Sequence, residues 1–135
     1  MQDNRIRTAI VGVGRAGWGM QYSELDRRSD RYQIVGACDT YEPWRDRFAE
    51  RYPDAFVCDS LNEVLARDDV ELVSIASRSV DHFDHATRSL QAGKLVLLEK
   101  PMCSTYAQAV ALREESDRGP GTLFVRHNSR FEPGF

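Results

Sequence analysis

A doubly wound α/β domain, with a mostly parallel sheet and helices on both of its faces, is the architecture expected of this 135-residue chain. Apolar runs of strand length recur along it, and most lack the polar alternation of a half-exposed strand, which marks strands buried on both faces. Segments with helical spacing and recognisable ends lie between the runs. Strand and helix therefore alternate, the order that builds a parallel sheet through right-handed crossovers. No internal repeat, low-complexity tract or Pro/Gly-rich linker breaks the rhythm, and the length suits one domain with a real core.

The first strand is expected over Ile6 to Val13, running straight into the glycine-rich GVGRAGWG, where a helix begins. The second, Tyr32 to Cys38, ends at Asp39, and a helix starts near Tyr41 or Glu42. A short third run, Ala55 to Cys58, precedes Ser60-Leu-Asn-Glu63, which has the form of a capping box. The fourth run spans Leu72 to Ala76, and the helix after it should stop where Gly93 follows Leu90. The fifth, Leu95 to Leu98, breaks off into Glu99, Lys100 and Pro101, the last of which cannot continue a strand. Thr105 with Gln108 offers a second helix start, and the sixth run covers Thr122 to Val125. Residues 1–127 make the domain, and 128–135, with Pro133 and Gly134, read as a connector.

Composition narrows the function classes. A net charge of −3, with arginines interleaved among acids, gives no pull toward nucleic acid. Three cysteines without CxxC spacing (Cys38, Cys58, Cys103) fit a reducing, cytoplasmic setting in which Cys acts as a small hydrophobe. The N-terminal MQDNRIR has no apolar targeting region, and no apolar stretch approaches the roughly 20 residues of a membrane span, so no membrane partner is expected. His82 and His85 lie one helical step apart without a carboxylate cluster, so no metal is expected either.

The glycine loop carries the first chemical signal. Gly12, Gly14 and Gly17 stand at GxGxxG spacing between a strand and a helix. The first allows a tight turn, the second lets backbone approach a pyrophosphate, and the third lets the helix pack close to the strand, as in a Rossmann dinucleotide site. Arg15 and Ala16 share the turn, and the pyrophosphate would rest on free N–H groups at the helix start. Glycines also occur in such turns for geometry alone. Asp39 stands 22 residues after Gly17, about where a Rossmann domain places the carboxylate that accepts the ribose hydroxyls. The same carboxylate repels a 2′-phosphate, so NAD is expected in preference to NADP. Asp39 could equally cap the helix that follows it. Arg45 and Arg47 are read as part of a solvated, charged helix face.

Glu99 and Lys100 fall at the carboxyl end of a strand, where open parallel sheets bind ligands. A lysine there can stabilise charge on a substrate oxygen, with Glu99 holding it in place. The plainer reading is a surface ion pair of little energetic weight.

Taken together, AIVGVGRAG, the strand VSIAS, and His82, Leu90, Ala92, Gly93, Lys94, Glu99, Lys100 and Pro101 in H-x7-L-x-AGK-x-VLLEKP resemble the N-terminal half of the Gfo/Idh/MocA oxidoreductases over essentially the whole chain. The resemblance implies an NAD-dependent dehydrogenase acting on a sugar, polyol or related hydroxylated substrate, and a homo-oligomer when full-length. It implies cofactor contacts from Gly12, Gly14, Gly17, Asp39, Ser77, His82, Glu99, Lys100 and Asn128, with Lys100 also positioning substrate. For His82, a polar residue near a helix start is an equal reading. Arg78 departs from the family, which commonly has Pro there. The family's second α/β domain, which shapes the sugar site, is not in this sequence, so the chain is expected to be a fragment that is inactive alone. The alternative is a stand-alone dinucleotide-binding or regulatory module.

Overall fold

A computed structural model describes residues 2–134. Six strands, β1 (Ile6–Val11), β2 (Tyr32–Cys38), β3 (Phe56–Cys58), β4 (Leu72–Ile75), β5 (Leu95–Glu99) and β6 (Thr122–Arg126), form one sheet in the order β3-β2-β1-β4-β5-β6. Every neighbouring pair is parallel. Strand order therefore reverses between β1 and β4, the place where doubly wound sheets open a crevice for ligands. β1 stops two residues before its expected end because Gly12 takes φ +87° and turns the chain away.

Helices cover both faces. α1 (Tyr22–Arg27), entered through a π-helical turn over Gly17–Gln21, and α2 (Glu42–Arg51) bury Tyr22, Leu25 and Phe48 against Ile10, Val13 and Ala37. On the other face α3 (Leu61–Leu65), α4 (His82–Gln91) and α5 (Tyr106–Arg118) set Leu61, Val64, Ala86, Leu90 and Leu112 against β4 and β5. β4 is buried along its whole length, as its unalternating sequence requires. Fully burying a side chain such as Leu90, Leu112 or Phe48 contributes about 1.5–3 kcal/mol.

The helix ends follow local chemistry, with one correction. The Thr105 hydroxyl accepts from the Gln108 N–H at 3.2 Å, and the Gln108 side chain accepts from the Ser104 N–H at 2.9 Å. Gly93, at φ +79°, ends α4. Ser60 does precede α3, but its side chain makes no capping bond, because the Glu63 N–H goes to the Ser60 carbonyl instead. Lys94 is 9% exposed, and its ammonium donates to the carbonyls of Arg67 (2.8 Å) and Val70 (2.7 Å) at the amino edge of the sheet. The lysine of AGK is thus a tie between loops, at the opposite end of the strands from Glu99. No helix among the described residues is long and apolar enough to cross a membrane.

Candidate functional site

At the carboxyl ends of β1, β2 and β4 lies a cleft of about 580 Å³, walled by the glycine loop, Asp39 to Tyr41, Trp44, Asp59, Leu61, Ala76 to Arg78, Asp81 and His85. Its floor is a turn with no room for a side chain at Gly12 or Gly17. A Cβ at Gly12 would stand 2.6 Å from the Ser77 nitrogen and 2.7 Å from the Ala76 carbonyl, and one at Gly17 would run into the Gly12 carbonyl oxygen. The helix after the turn makes its first intrahelical bond from Trp18 N–H to Gly14 C=O at 2.8 Å. The N–H groups just before Trp18 therefore lack intrahelical acceptors, as at any helix start. Exposed Arg15 and half-buried Ala16 line the cleft beside them.

Asp39 sits at the cleft rim with its carboxylate fixed from two sides. One oxygen accepts from Val13 N–H and the other from Tyr41 N–H, each at 2.9 Å. The N-cap position of α2 is Tyr41, not Asp39, and no side chain caps the helix there. A carboxylate oxygen accepts more than one hydrogen bond, so both retain acceptor capacity for a diol. Arg45 donates to the Asp39 carbonyl at 2.8 Å. Arg47 departs from the solvated face expected of it: it donates to the Val13 carbonyl at 2.7 Å, beneath the glycine turn.

Beyond β4, Ser77 lines the cleft with its hydroxyl 2.8 Å from Nδ1 of His85. His82 is placed behind the cleft. It is 1% exposed, and its ring bridges two loops, with Nδ1 2.6 Å from the Pro101 carbonyl and Nε2 3.0 Å from the Ser77 carbonyl. Arg78 is exposed at the rim, where its Nε donates to Asp81 at 3.0 Å. Burial holds His85 below the usual histidine range, against the pull of Asp81 and Asp84 and in concert with Arg88 and His82. The unfolded chain thus binds more protons than the folded one as pH falls from about 6.5, and stability should fall with it. Denaturation at pH 7.5 and 5.5 should show the native chain losing more stability than His85→Gln across that interval. Equal losses would mean that His85 titrates alike in both states.

Glu99 and Lys100 part company. Glu99 is 4% exposed, and its carboxylate accepts from Gln21 at 3.0 Å and pairs with Arg126 at 3.3 Å, so the expected Glu99–Lys100 pair is replaced by one across the β5–β6 ladder. Lys100 is exposed, and its bond to Pro101 is cis. Gln21 reaches Glu99 because the π-helical turn buries it, and it also donates to the Ile75 carbonyl at 3.1 Å and meets the Ser74 hydroxyl. Arg126 reaches on to Glu24 of α1. Asn128 falls in a short 3₁₀ turn over Asn128–Phe131, and its side chain lies outside the described residues.

Cys38 and Cys58 face one another across β2 and β3 as free thiols, and burial pushes both above the usual thiol range. No group of three His, Cys, Asp or Glu able to hold a metal ion is found among the described residues.

The arrangement suits a dinucleotide. Backbone without side chains beside Arg15 is the kind of surface a pyrophosphate needs, and a fixed carboxylate has the acceptors a ribose diol needs. Residues 6–127 match the family model described as oxidoreductase family, NAD-binding Rossmann fold. The chain is 34% identical over 132 residues to scyllo-inositol 2-dehydrogenase (NADP(+)) IolW of Bacillus subtilis, covering 96% of this chain and 35% of that protein. It is 30% identical over 131 residues to inositol 2-dehydrogenase of Gluconacetobacter diazotrophicus, covering 93% and 39%. The structure of the WlbA dehydrogenase from Chromobacterium violaceum, solved with NADH and UDP-GlcNAcA, superposes with a TM-score of 0.89 at 27% identity, covering 97% of this chain and 37% of that one. The chain thus spans little more than a third of the length of the relatives it matches.

Proposed function

This chain belongs to the Gfo/Idh/MocA oxidoreductase family, and on that premise we propose that it is the cofactor half of a dehydrogenase moving hydride between NAD and a sugar, polyol or related hydroxylated substrate. The observation that carries the reading is the cleft itself: a turn closed to side chains at Gly12 and Gly17, facing a carboxylate locked at the end of β2. Gly12, Gly14, Arg15, Ala16 and Gly17 would cradle the pyrophosphate, and Asp39 would accept the ribose hydroxyls. When bound, the nicotinamide supplies the hydride chemistry. Ser77 lines the cleft past the end of β4, and Lys100 follows β5 outside the cleft lining; the family resemblance sets the nicotinamide and the substrate oxygen toward these two residues. His82 and Glu99 support that end by holding loops and strands. The coverage of relatives supports a second, substrate-shaping domain in the whole protein, reached through residues 128–135.

NAD over NADP rests on Asp39. A carboxylate that accepts the ribose hydroxyls would repel a 2′-phosphate, while Arg45 and Arg47 are committed to the carbonyls of Asp39 and Val13. Calorimetric titration with NADH and NADPH should show tighter NADH binding. Asp39→Ala should weaken NADH by roughly tenfold, about 1.4 kcal/mol for lost hydrogen bonds to a charged group, and narrow its advantage over NADPH. An unchanged preference would remove Asp39 from the site.

A further inference from the structure

α2 starts three residues beyond Asp39, so its first turn overhangs the glycine loop. Trp44 lies there, 36% exposed, with its indole Nε1 only 3.3 Å from where a Cβ at Gly14 would be. The side chains of Arg45 and Arg47 around it donate to the carbonyls of Asp39 and Val13, whereas the indole N–H of Trp44 has no hydrogen-bond partner among the described residues. Its ring is nonetheless braced. The Arg47 guanidinium lies 4.4 Å from the Trp44 ring centre and 4.2 Å from that of Trp18, and Tyr41 meets Trp44 edge-on at 5.4 Å. Nε of Arg47 is buried with no hydrogen-bond acceptor, and the π faces on either side take that place. A surface tryptophan stacked this way contributes little to the core. What the stack does is hold an N–H donor over the glycine that a phosphate must approach, with a fixed positive charge beneath the same turn.

We infer that Trp44 is a cofactor-binding residue, its indole N–H donating to a phosphate oxygen of the dinucleotide over Gly14, with Arg47 as the positioning residue that holds the indole and adds its charge under the turn. The inference rests on the dinucleotide reading above. It adds a contact from α2 that no part of the glycine motif contains, and it makes the ADP portion of the cofactor the ligand that reads it.

The test titrates the whole chain with NADH and with ADP. Trp44→Phe, which keeps a ring on Arg47 and loses the N–H, should weaken both by about tenfold, the effect of one hydrogen bond to a charged group. Arg47→Met should flatten the salt dependence of ADP binding, and Arg47→Lys should restore it. The chain has two tryptophans, so in Trp18→Phe the emission of Trp44 is observed alone, and ADP, which cannot accept its excitation energy, should change it. Native affinity in Trp44→Phe, or Trp44 emission untouched by bound ADP, overturns the inference while leaving the cleft's function standing. A native chain that binds neither NADH nor ADP fails the dinucleotide reading and this inference with it.

Discussion

Gly17→Ala should reduce NADH binding by about 100-fold, some 2.7 kcal/mol. The added methyl has nowhere to go, because its carbon would overlap the Gly12 carbonyl oxygen, a backbone atom that cannot swing aside as a side chain can. Relieving the clash means opening the turn, which moves the free N–H groups off a pyrophosphate and sacrifices two or so hydrogen bonds to a charged ligand at about 1.5 kcal/mol each. Overpacking should also lower stability by about 2 kcal/mol. Gly19 provides the control. It lies two residues further on with nothing within 4 Å of a Cβ, so Gly19→Ala should bind NADH normally. Calorimetry on the two variants settles the matter, and equal affinities would mean that the turn does not touch the ligand.

Arg126→Leu should destabilise the fold by about 3 kcal/mol, because it strands a buried carboxylate rather than removing a surface ornament. The Glu99 and Arg126 side chains are 5% and 10% exposed, which separates this pair from the exposed ones such as Arg31–Asp30 at 69% and 77%. The remaining partner of Glu99, Gln21, offers one amide N–H and no charge. Adding Glu99→Gln to Arg126→Leu should recover most of the loss, since a neutral amide costs far less to bury than an unpaired carboxylate. Urea denaturation of the single and double variants checks this. A loss under 1 kcal/mol in Arg126→Leu would return the pair to the energetics of a surface contact.

What was legible in the sequence was whatever is written locally. Buried parallel strands announce themselves as unalternating apolar runs, and each of the six runs ends within two residues of its strand. The glycine turn was legible because its geometry demands glycine at fixed spacing, and Gly12 at φ +87° meets that demand. Capping was legible at Thr105 but misread at Ser60, where the backbone carbonyl took the N–H that the pattern assigns to a hydroxyl.

The supporting shell was not legible, because its partners are distant in sequence. Gln21 and Glu99 are 78 residues apart, and only the π-helical turn, which no sequence pattern here signals, buries Gln21. Arg126 sits on an edge strand beside no acid in sequence, yet it supplies the charge that the reading of Glu99-Lys100-Pro101 sought in Lys100. α2 buries only Phe48, so its alternating charges looked uniformly solvated, and the stacking of Arg47 depends on Trp18 from another helix. Nothing local marks His85 over His82, yet it is His85 that shares the cleft wall with Ser77.

The most direct test of the account is a calorimetric titration of the 135-residue chain with NADH. One-to-one binding is predicted, stronger than for NADPH and lost in Gly17→Ala. No heat of binding from a chain that circular dichroism shows to be folded would contradict the assignment of this cleft to a dinucleotide.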